Sequence, residues 1–527
     1  MSQDEATDDL ESPAGPIGAA GSASADEPDA STPDAGTEQM QVRREKLQRL
    51  RDRGVEPYPV NYPRTHTLQE VRESYGDLEP GSSTGVTVAV TGRIVLKRDS
   101  GKLCFATVRD GTGDLQVMLS LARVGDESLE SWKHDIDLGD IVGITGEVIT
   151  SRRGELSVMA DSWALTSKAL RPLPEKHKGL TDPEARVRMR YVDLIVRPEA
   201  REVARVRATV VRSLRDSLHR RGFLEAETPM LQTVHGGANA RPFRTHINAY
   251  DMDLYLRIAT ELHLKRLLVG GFEQVFEIGR QFRNEGADSS HNPEFTMLEA
   301  YQTYSDYHDM RRLTQEMIQE AAIAVFGEPV ARRREDDGEI HEYDLSGDWP
   351  VKTLTEAISE ELGEDVGYDV TVEQLREIAG RIGADFDPEA GWGHLLELVY
   401  EHLCEHSTTT PVFYTDYPKD TAPLTRVHRD DPRLTEKWDL VCWGMEQATA
   451  YSELIDPIDQ RERFLAQSLM AAAGDQEAME VDYDFLRALE YGMPPTGGMG
   501  LGVDRLVMTL TGLGIRETIL FPLVRGL

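Results

Sequence analysis

Five short runs of alternating apolar and polar residues follow one another within about eighty residues, and they constrain the fold more than any other feature of the chain. They are Val86 to Val95, Leu103 to Arg109, Asp114 to Leu119, Ile141 to Thr150 and Glu155 to Leu165, separated by turn signals such as Asp110-Gly111 and Arg153-Gly154. Period-two alternation gives each run one buried face. Five such strands in so short a segment suit a small OB-type barrel. Barrels of this kind bind single-stranded nucleic acid or serve as plain structural domains, and the strands alone leave both open.

The rest of the 527 residues exceeds what one hydrophobic core supports, so a second domain is expected. Residues 1–39 are rich in Ala, Asp, Glu, Ser, Gly and Pro and nearly free of large apolar side chains. Such a tail is expected to be disordered, because it cannot offset the entropy of ordering. Residues 40–84 read as a helical segment, opening with a basic helix around Met40 to Arg53 that either touches RNA phosphates or presents a solvated face. The barrel takes 85–168. A linker at 169–200 continues a basic stretch of Lys168, Arg171, Lys176, Lys178, Arg186, Arg188 and Arg190, suited to an RNA backbone. From 201 to 527 an α+β region runs to the end, with a helix at about Glu202 to Arg221 and a helix-rich insertion at about 330–407.

Net charge is −34, of which the first forty residues carry ten acidic side chains and no Lys or Arg. Net charge describes solubility better than local fields, so it does not exclude a nucleic-acid partner. Cys104, Cys404 and Cys442 match neither a disulfide framework nor a zinc site and are expected as reduced thiols. With no apolar run near the roughly 18 residues of a membrane helix, and no leader pattern, the expected location is the cytoplasm, away from membranes.

Three segments hold the informative chemistry. Arg220 to Pro229 reads as a helix-turn-strand ending at a proline. Gln274 to Tyr304 reads as a hairpin around a loop with Gly286 and Pro293, and alternation places Phe295, Met297, Glu299 and Tyr301 on one face, near Arg283. In Asp439 to Asp456 the same alternation aligns Thr449, Tyr451 and Glu453, and a glycine run from Gly497 to Gly502 then leads to a helix near Arg505. That run lacks the βαβ setting of a dinucleotide fingerprint. A glycine-rich strand of this kind lets a ligand approach the backbone.

In this order the segments resemble motifs 1, 2 and 3 of the class II aminoacyl-tRNA synthetases: Phe-Arg-Asn-Glu-Gly from Phe282, His-Asn-Pro-Glu-Phe-Thr from His291, and Gly-Leu-Gly-Val-Asp-Arg ending at Arg505. Gly-Gly-Ala-Asn-Ala-Arg-Pro-Phe from Gly236, Tyr-Leu-Arg-Ile-Ala-Thr-Glu-Leu from Tyr255 and Lys-Ala-Leu-Arg-Pro-Leu-Pro from Lys168 are similar to the lysine-specific enzymes. The resemblance implies an α+β catalytic domain on a six- or seven-stranded antiparallel sheet, preceded by an OB-fold barrel. It implies a homodimer through motif 1. It also implies ATP, L-lysine and tRNA(Lys) as substrates and Mg2+ as cofactor.

Carried over residue by residue, the resemblance gives Arg283 and Arg505 the ATP phosphates, with Glu285, His291, Asn292 and Glu446 helping to place ATP and Phe295 stacking on adenine. Glu446 and Asp439 are the implied magnesium ligands, with Asp439 standing where the lysine enzymes usually have Glu. Glu261 and the backbone of Gly237 serve the α-amino group. Glu299, Tyr301 and Glu453 serve the ε-ammonium, Tyr451 is a pocket wall, and Thr449 offers the lysine carboxylate a hydroxyl where the lysine enzymes usually have Asn. Three carboxylates suit a guest with two ammonium groups. In the barrel, Phe105, Gln116 and Glu155 match positions that read the central uridine of the anticodon. Two other readings are a lysyl ligase acting on a protein side chain, which usually lacks the barrel, and a catalytically silent relative, which would have lost Arg283, Glu446 or Arg505.

Overall fold

The computed structural model describes residues 35–174, 180–335, 338–472 and 480–524. The chain divides into two compact units, Met1–His177 and Lys178–Leu527, each with its own apolar core. No described helix is long and apolar enough to cross a membrane.

In the first unit, β1 (Ser83–Ser100), β2 (Leu103–Arg109), β3 (Asp114–Ser120), β4 (Ile141–Thr150) and β5 (Leu156–Ser167) close into a barrel in the order β1-β2-β3-β5-β4. The pleat sends Cys104, Ala106 and Val108 of β2 and Leu115, Val117 and Leu119 of β3 into one core. Strand β1 outruns its expected length because an irregularity between Ile94 and Leu96 lets a single strand pair with both β4 and β2. The link from β3 to β4 contains two helices, Leu121–Val124 and Asp126–Asp135, whose Leu129 and Trp132 join the barrel core.

The basic N-terminal helix spans Ala35–Asp52, starting within the stretch expected to be disordered; residues 1–34 of that tail lie outside the described residues. Several of its cations are engaged within the unit, while Arg44 and Arg51 are exposed. Arg43 donates to the carbonyls of Ala169 and Leu138, Lys46 pairs with Asp137 at 2.6 Å, and Arg49 and Arg53 pair with Asp135. Lys168 is buried, with Nζ on Asp137 at 2.6 Å and Asp140 at 2.7 Å. In the second unit Arg188 pairs with Glu184, and Arg190 with Asp193. Lys176 and Lys178 lie outside the described residues. Three of the seven basic residues of that stretch, Lys168, Arg188 and Arg190, are thus held in internal ion pairs.

The second unit is built on strands β6 (Leu224–Glu225), β7 (Leu231–Gln232), β8 (Arg244–Ile247), β9 (Met252–Leu256), β10 (Gln274–Phe282), β11 (Glu294–Thr303), β12 (Val330–Arg334), β13 (Ile340–Asp344), β14 (Val351–Thr353), β15 (Val412–Thr415), β16 (Lys437–Cys442), β17 (Met445–Ser452) and β18 (Thr496–Gly502). Eight of them form one sheet, β14-β15-β16-β17-β18-β11-β10-β6. All its pairings are antiparallel except the outermost, β14 with β15 and β10 with β6, which are parallel. The expected antiparallel sheet therefore has eight strands instead of six or seven.

Three helices cover its core face, Val503–Thr511 and two longer ones. Pro198–Arg220 opens with a proline at its first turn and buries Val206, Val210, Leu214 and Leu218, an i,i+4 stripe. Tyr307–Phe326 begins in a capping box between Asp306 and Asp309 and ends at Gly327 in the left-handed region. Their stripes pack on Leu298 and Ala300 of β11, Ala448 and Ala450 of β17, and Met499 and Leu501 of β18. The alternate residues of the same strands are left for the opposite face.

Segment 330–407 opens with hairpin β12–β13 and edge strand β14 before its helices Leu354–Leu362, Val372–Ile382 and Trp392–Tyr400. The expected helical insertion thus feeds a strand to the main sheet. Its last helix runs into a π-helical turn, Glu401–Glu405.

Candidate active site

The side of the sheet away from the helices carries the site. Register places Gly498 opposite both Tyr301 and Tyr451, and Gly500 opposite both Glu299 and Thr449. The middle strand thus has no side chains where its neighbours present polar ones, and a trough results. A Cβ on Gly498 would lie 1.9 Å from Oε1 of Glu453 and 2.5 Å from the Tyr301 ring.

One cavity of about 360 Å3 lies over this trough, lined by Gly237, Glu261, Glu299, Tyr301, Thr449 and Tyr451 among others. Glu261 opens the helix Glu261–Val269 and accepts the Tyr451 hydroxyl at 2.8 Å. Glu299 accepts the Thr260 N–H and the Tyr301 hydroxyl, both at 3.0 Å. Gly237 has φ +88°, and a Cβ there would lie 3.1 Å from that of Ala259, so glycine lets this loop lie against the wall. Burial and the neighbouring Glu261 push Glu299 up to about 7. Both tyrosine hydroxyls are held well above their usual range by burial and the surrounding carboxylates.

Strand β17 ends at Ser452, but Glu453 continues the pairing, its N–H donating to the Thr496 carbonyl at 2.8 Å, and its carboxylate reaches the trough over Gly498. The side chain is fully buried at the seam between this cavity and a second of about 240 Å3, which it lines with Asp306, Arg429 and Thr496. Its Oε1 has no hydrogen-bond partner, and its Oε2 is paired with Lys265. Burial pushes it up to about 8 against the opposing pull of Lys265.

A cavity of about 200 Å3 continues from the first, sharing Arg283, Met297, Glu446, Thr449 and Gly500 with it, and adds Glu285, His291, Asn292, Phe295 and Arg505. Its cations are Arg283 and Arg505, set among the carboxylates of Glu285, Glu446 and Asp504. The Arg283 guanidinium sits 5.1 Å from the Phe295 ring centre, and its Nε is buried without a partner. Arg505 donates to the Glu446 carbonyl at 2.7 Å and lies 3.4 Å from His291 Nε2. His291 leans on Asp288 at 3.0 Å, and Asn292 donates to the Glu294 carbonyl at 2.5 Å. Such a surface accepts the oxygens of a polyphosphate and leaves an aromatic face beside it.

Glu446 lines both cavities, whereas Asp439 lies outside the lining of either. Asp439 pairs with Lys437 at 2.9 Å while its Oδ1 is buried without a partner, and Glu446 is half-exposed. Among the described residues no three carboxylate, imidazole or thiol groups gather with metal-ligating geometry. Two carboxylates with an orphan oxygen fit a magnesium ion that completes its shell with substrate phosphates and water.

Several supporting residues escaped the sequence reading. Lys265 lies four residues after Glu261, Arg257 bonds Glu277 at 2.6 Å, and Asp504 takes the Thr296 N–H at 2.6 Å while pairing with Arg207. The π turn also brings in Glu405, pushed up to about 7 by burial and by Glu446 and Asp439. Only the Glu261–Lys265 spacing carried a signal, and it reads as an ordinary surface helix pair.

On the barrel, Phe105 and Gln116 project from the outer faces of β2 and β3, where Phe105 pairs with Met118 and Thr107 with Gln116. Gln116 donates to Ser157 Oγ at 2.8 Å, and the exposed Glu155 precedes β5 rather than beginning it.

Residues 182–525 match the profile of tRNA synthetases class II (D, K and N), and residues 88–166 that of the OB-fold nucleic acid binding domain. The chain is 58% identical over 497 residues to a lysine--tRNA ligase of Mycolicibacterium gilvum, covering 94% of this chain and 98% of the relative. It is 56% identical over 495 residues to lysine--tRNA ligase 1 of Mycobacterium tuberculosis, covering 93% and 97%. The lysylphosphatidylglycerol biosynthesis bifunctional protein LysX of Rhodococcus opacus is 53% identical over 488 residues, 93% of this chain and 43% of that protein. With its carboxylate pocket and its arginine-bearing cavity side by side on one sheet, in a unit that follows such a barrel in the chain, the chain belongs to the class II tRNA synthetases of the D, K and N group, and within it to the lysine--tRNA ligases.

Proposed function

We propose that this chain activates L-lysine with ATP and transfers it to the 3′ end of tRNA(Lys), acting in the cytoplasm as a homodimer joined through the segment Arg220 to Pro229. The observation that carries the lysine assignment is the buried set Glu261, Glu299 and Glu453, with one Glu453 oxygen unpartnered. A buried carboxylate without a partner is costly, and an ammonium group relieves it.

Lysine would lie in the larger cavity with its α-ammonium toward Glu261 and the Gly237 backbone and its side chain toward Glu299, Tyr301 and Glu453. Thr449, which lines both cavities, faces its carboxylate. ATP would lie in the arginine-bearing cavity, its base against Phe295 and its phosphates on Arg283, Arg505 and His291, with Glu285 and Asn292 at the rim. Asp439 and Glu446 would hold Mg2+, which supplies positive charge to the phosphates.

The lysine carboxylate is already an anion, so no general base is needed. One of its oxygens bonds to the α-phosphorus as the bond to the β-phosphate oxygen breaks, and diphosphate leaves. Arg283 and Arg505 stabilise the charge that develops, and the walls keep the reacting atoms aligned. The terminal 3′-hydroxyl then attacks the lysyl carbonyl; AMP leaves and the hydroxyl proton is released.

The test is ATP–diphosphate exchange with each of the twenty amino acids. Lysine should support it at least about a hundredfold better than any other, as a site built on buried charge pairs discriminates. Equal exchange with an uncharged amino acid would refute the assignment.

A further inference from the structure

Lys265 is a cation buried between two of the pocket's carboxylates. Its side chain is fully buried, and its Nζ lies 2.5 Å from Oε1 of Glu261 and pairs with Oε2 of Glu453. It comes from the helix Glu261–Val269, one turn beyond Glu261, while Glu453 follows β17, so one ammonium ties two separate elements together. Each glutamate keeps one oxygen that Lys265 does not take. On Glu261 that oxygen accepts the Tyr451 hydroxyl, and on Glu453 it is the unpartnered Oε1.

We propose that Lys265 is a positioning residue of the amino-acid pocket: a resident ammonium that spans Glu261 and Glu453, favours the charged form of Glu453 and holds its free oxygen available for the side-chain ammonium of the substrate. The inference rests on the lysine-pocket reading and deepens it. Charge arithmetic carries the argument. The groups facing Glu453 are Glu261 and Lys265 of the helix, Glu299 and Tyr301 of β11 and Tyr451 of β17, with Asp306, Arg426, Arg429 and Glu436 across the second cavity. Three carboxylates confined in one dry space repel one another and drift toward neutrality. Lys265 is the cation pulling Glu453 the other way. Without it a protonated Glu453 would present a hydroxyl, and the pocket would lose its charge-based preference for an ammonium over a methyl group.

The test compares wild type with K265M and K265R by amino-acid-dependent ATP–diphosphate exchange from pH 6.5 to 9, using lysine and norleucine, which has the same chain length without the terminal amine. K265M should raise KM for lysine at pH 7.5 at least about tenfold, consistent with losing one buried ionic partner. The effect should shrink as pH rises, KM for ATP should stay within about twofold, and the lysine-to-norleucine ratio of kcat/KM should fall by a similar factor. K265R, which retains the cation, should stay closer to wild type in both profile and ratio. A wild-type pH profile and ratio in K265M would overturn the proposal, and so would a pH-independent loss shared by lysine and ATP. Should K265M not fold, K265Q carries the same comparison, and failure of both uncharged variants to fold would make Lys265 a purely structural cation. If wild type prefers another amino acid, the lysine reading fails by itself.

Discussion

At the scale of single residues, the raised carboxylates make lysine binding depend on protons. Glu299 is pushed up to about 7 and Glu453 to about 8 in the empty pocket. Below those values each is largely neutral, whereas an ammonium guest favours the ionised form, so binding releases protons. Affinity should therefore weaken as pH falls from 8 toward 6.5, with KM for lysine rising up to about tenfold per unit for each proton released. The substrate's own side-chain amine stays charged throughout this window. Exchange kinetics across that range check it, and a flat KM would show that both groups are already ionised. The glycine trough gives a second expectation. Gly498→Ala should raise KM for lysine more than tenfold while leaving the protein folded. Its Cβ would meet the Glu453 carboxylate and the Tyr301 ring, and Gly498 is not among the glycines with positive φ, so the backbone tolerates alanine. Alternation on the two central strands let the sequence group Glu299 with Tyr301 and Thr449 with Tyr451. It gave no sign of Lys265, because burial there depends on strands far away in sequence.

Among the elements, the helix Val503–Thr511 shows how the arginine-bearing cavity is held. Its first turn contains Asp504, which takes the Thr296 N–H of β11 and pairs with Arg207 on the helix Pro198–Arg220, so three elements meet at one buried carboxylate beside Arg505. Asp504→Ala leaves a largely buried Arg207 uncompensated and should cost about 3 to 5 kcal/mol, the usual penalty for breaking a buried pair from one side. Chemical denaturation measures that loss, and exchange by the variant that still folds should fall through KM for ATP more than through KM for lysine. A loss under 1 kcal/mol would mean that Arg207 finds another partner. Strands with clean alternation were legible in the sequence, and so was the amphipathic helix Pro198–Arg220, expected at about Glu202 to Arg221. The helices between β3 and β4 were not, because their ten-residue and shorter lengths give a weak periodic signal. Nor was β14, whose three residues pair at the sheet edge only after a hairpin has carried the chain there.

For the whole molecule, the question is what the barrel unit adds to a catalytic unit that already holds both cavities. Its basic helix gives no simple answer, since Arg43, Lys46, Arg49 and Arg53 are engaged within the unit, a use that depends on Asp135 and Asp137 far along the chain. The remaining candidate is the outer face of β2 and β3, where Phe105 offers a half-exposed aromatic surface and Gln116 an amide that now holds Ser157. A flat ring gives base stacking worth about 1 to 3 kcal/mol, and an amide can read a base edge. Neither side chain lies in the barrel core, so truncating them should leave the barrel folded. Phe105→Ala should therefore lower kcat/KM for charging tRNA(Lys) by about 5- to 100-fold, the equivalent of one lost stacking contact. Gln116→Ala should act in the same direction. Lysine-dependent exchange without tRNA should stay at the wild-type rate in both, because both cavities belong to the other unit. Parallel measurement of charging and exchange separates the outcomes. If both variants charge tRNA as wild type does, the barrel face does not read the anticodon; if exchange falls along with charging, the substitutions act through the catalytic unit and the assignment fails for a different reason.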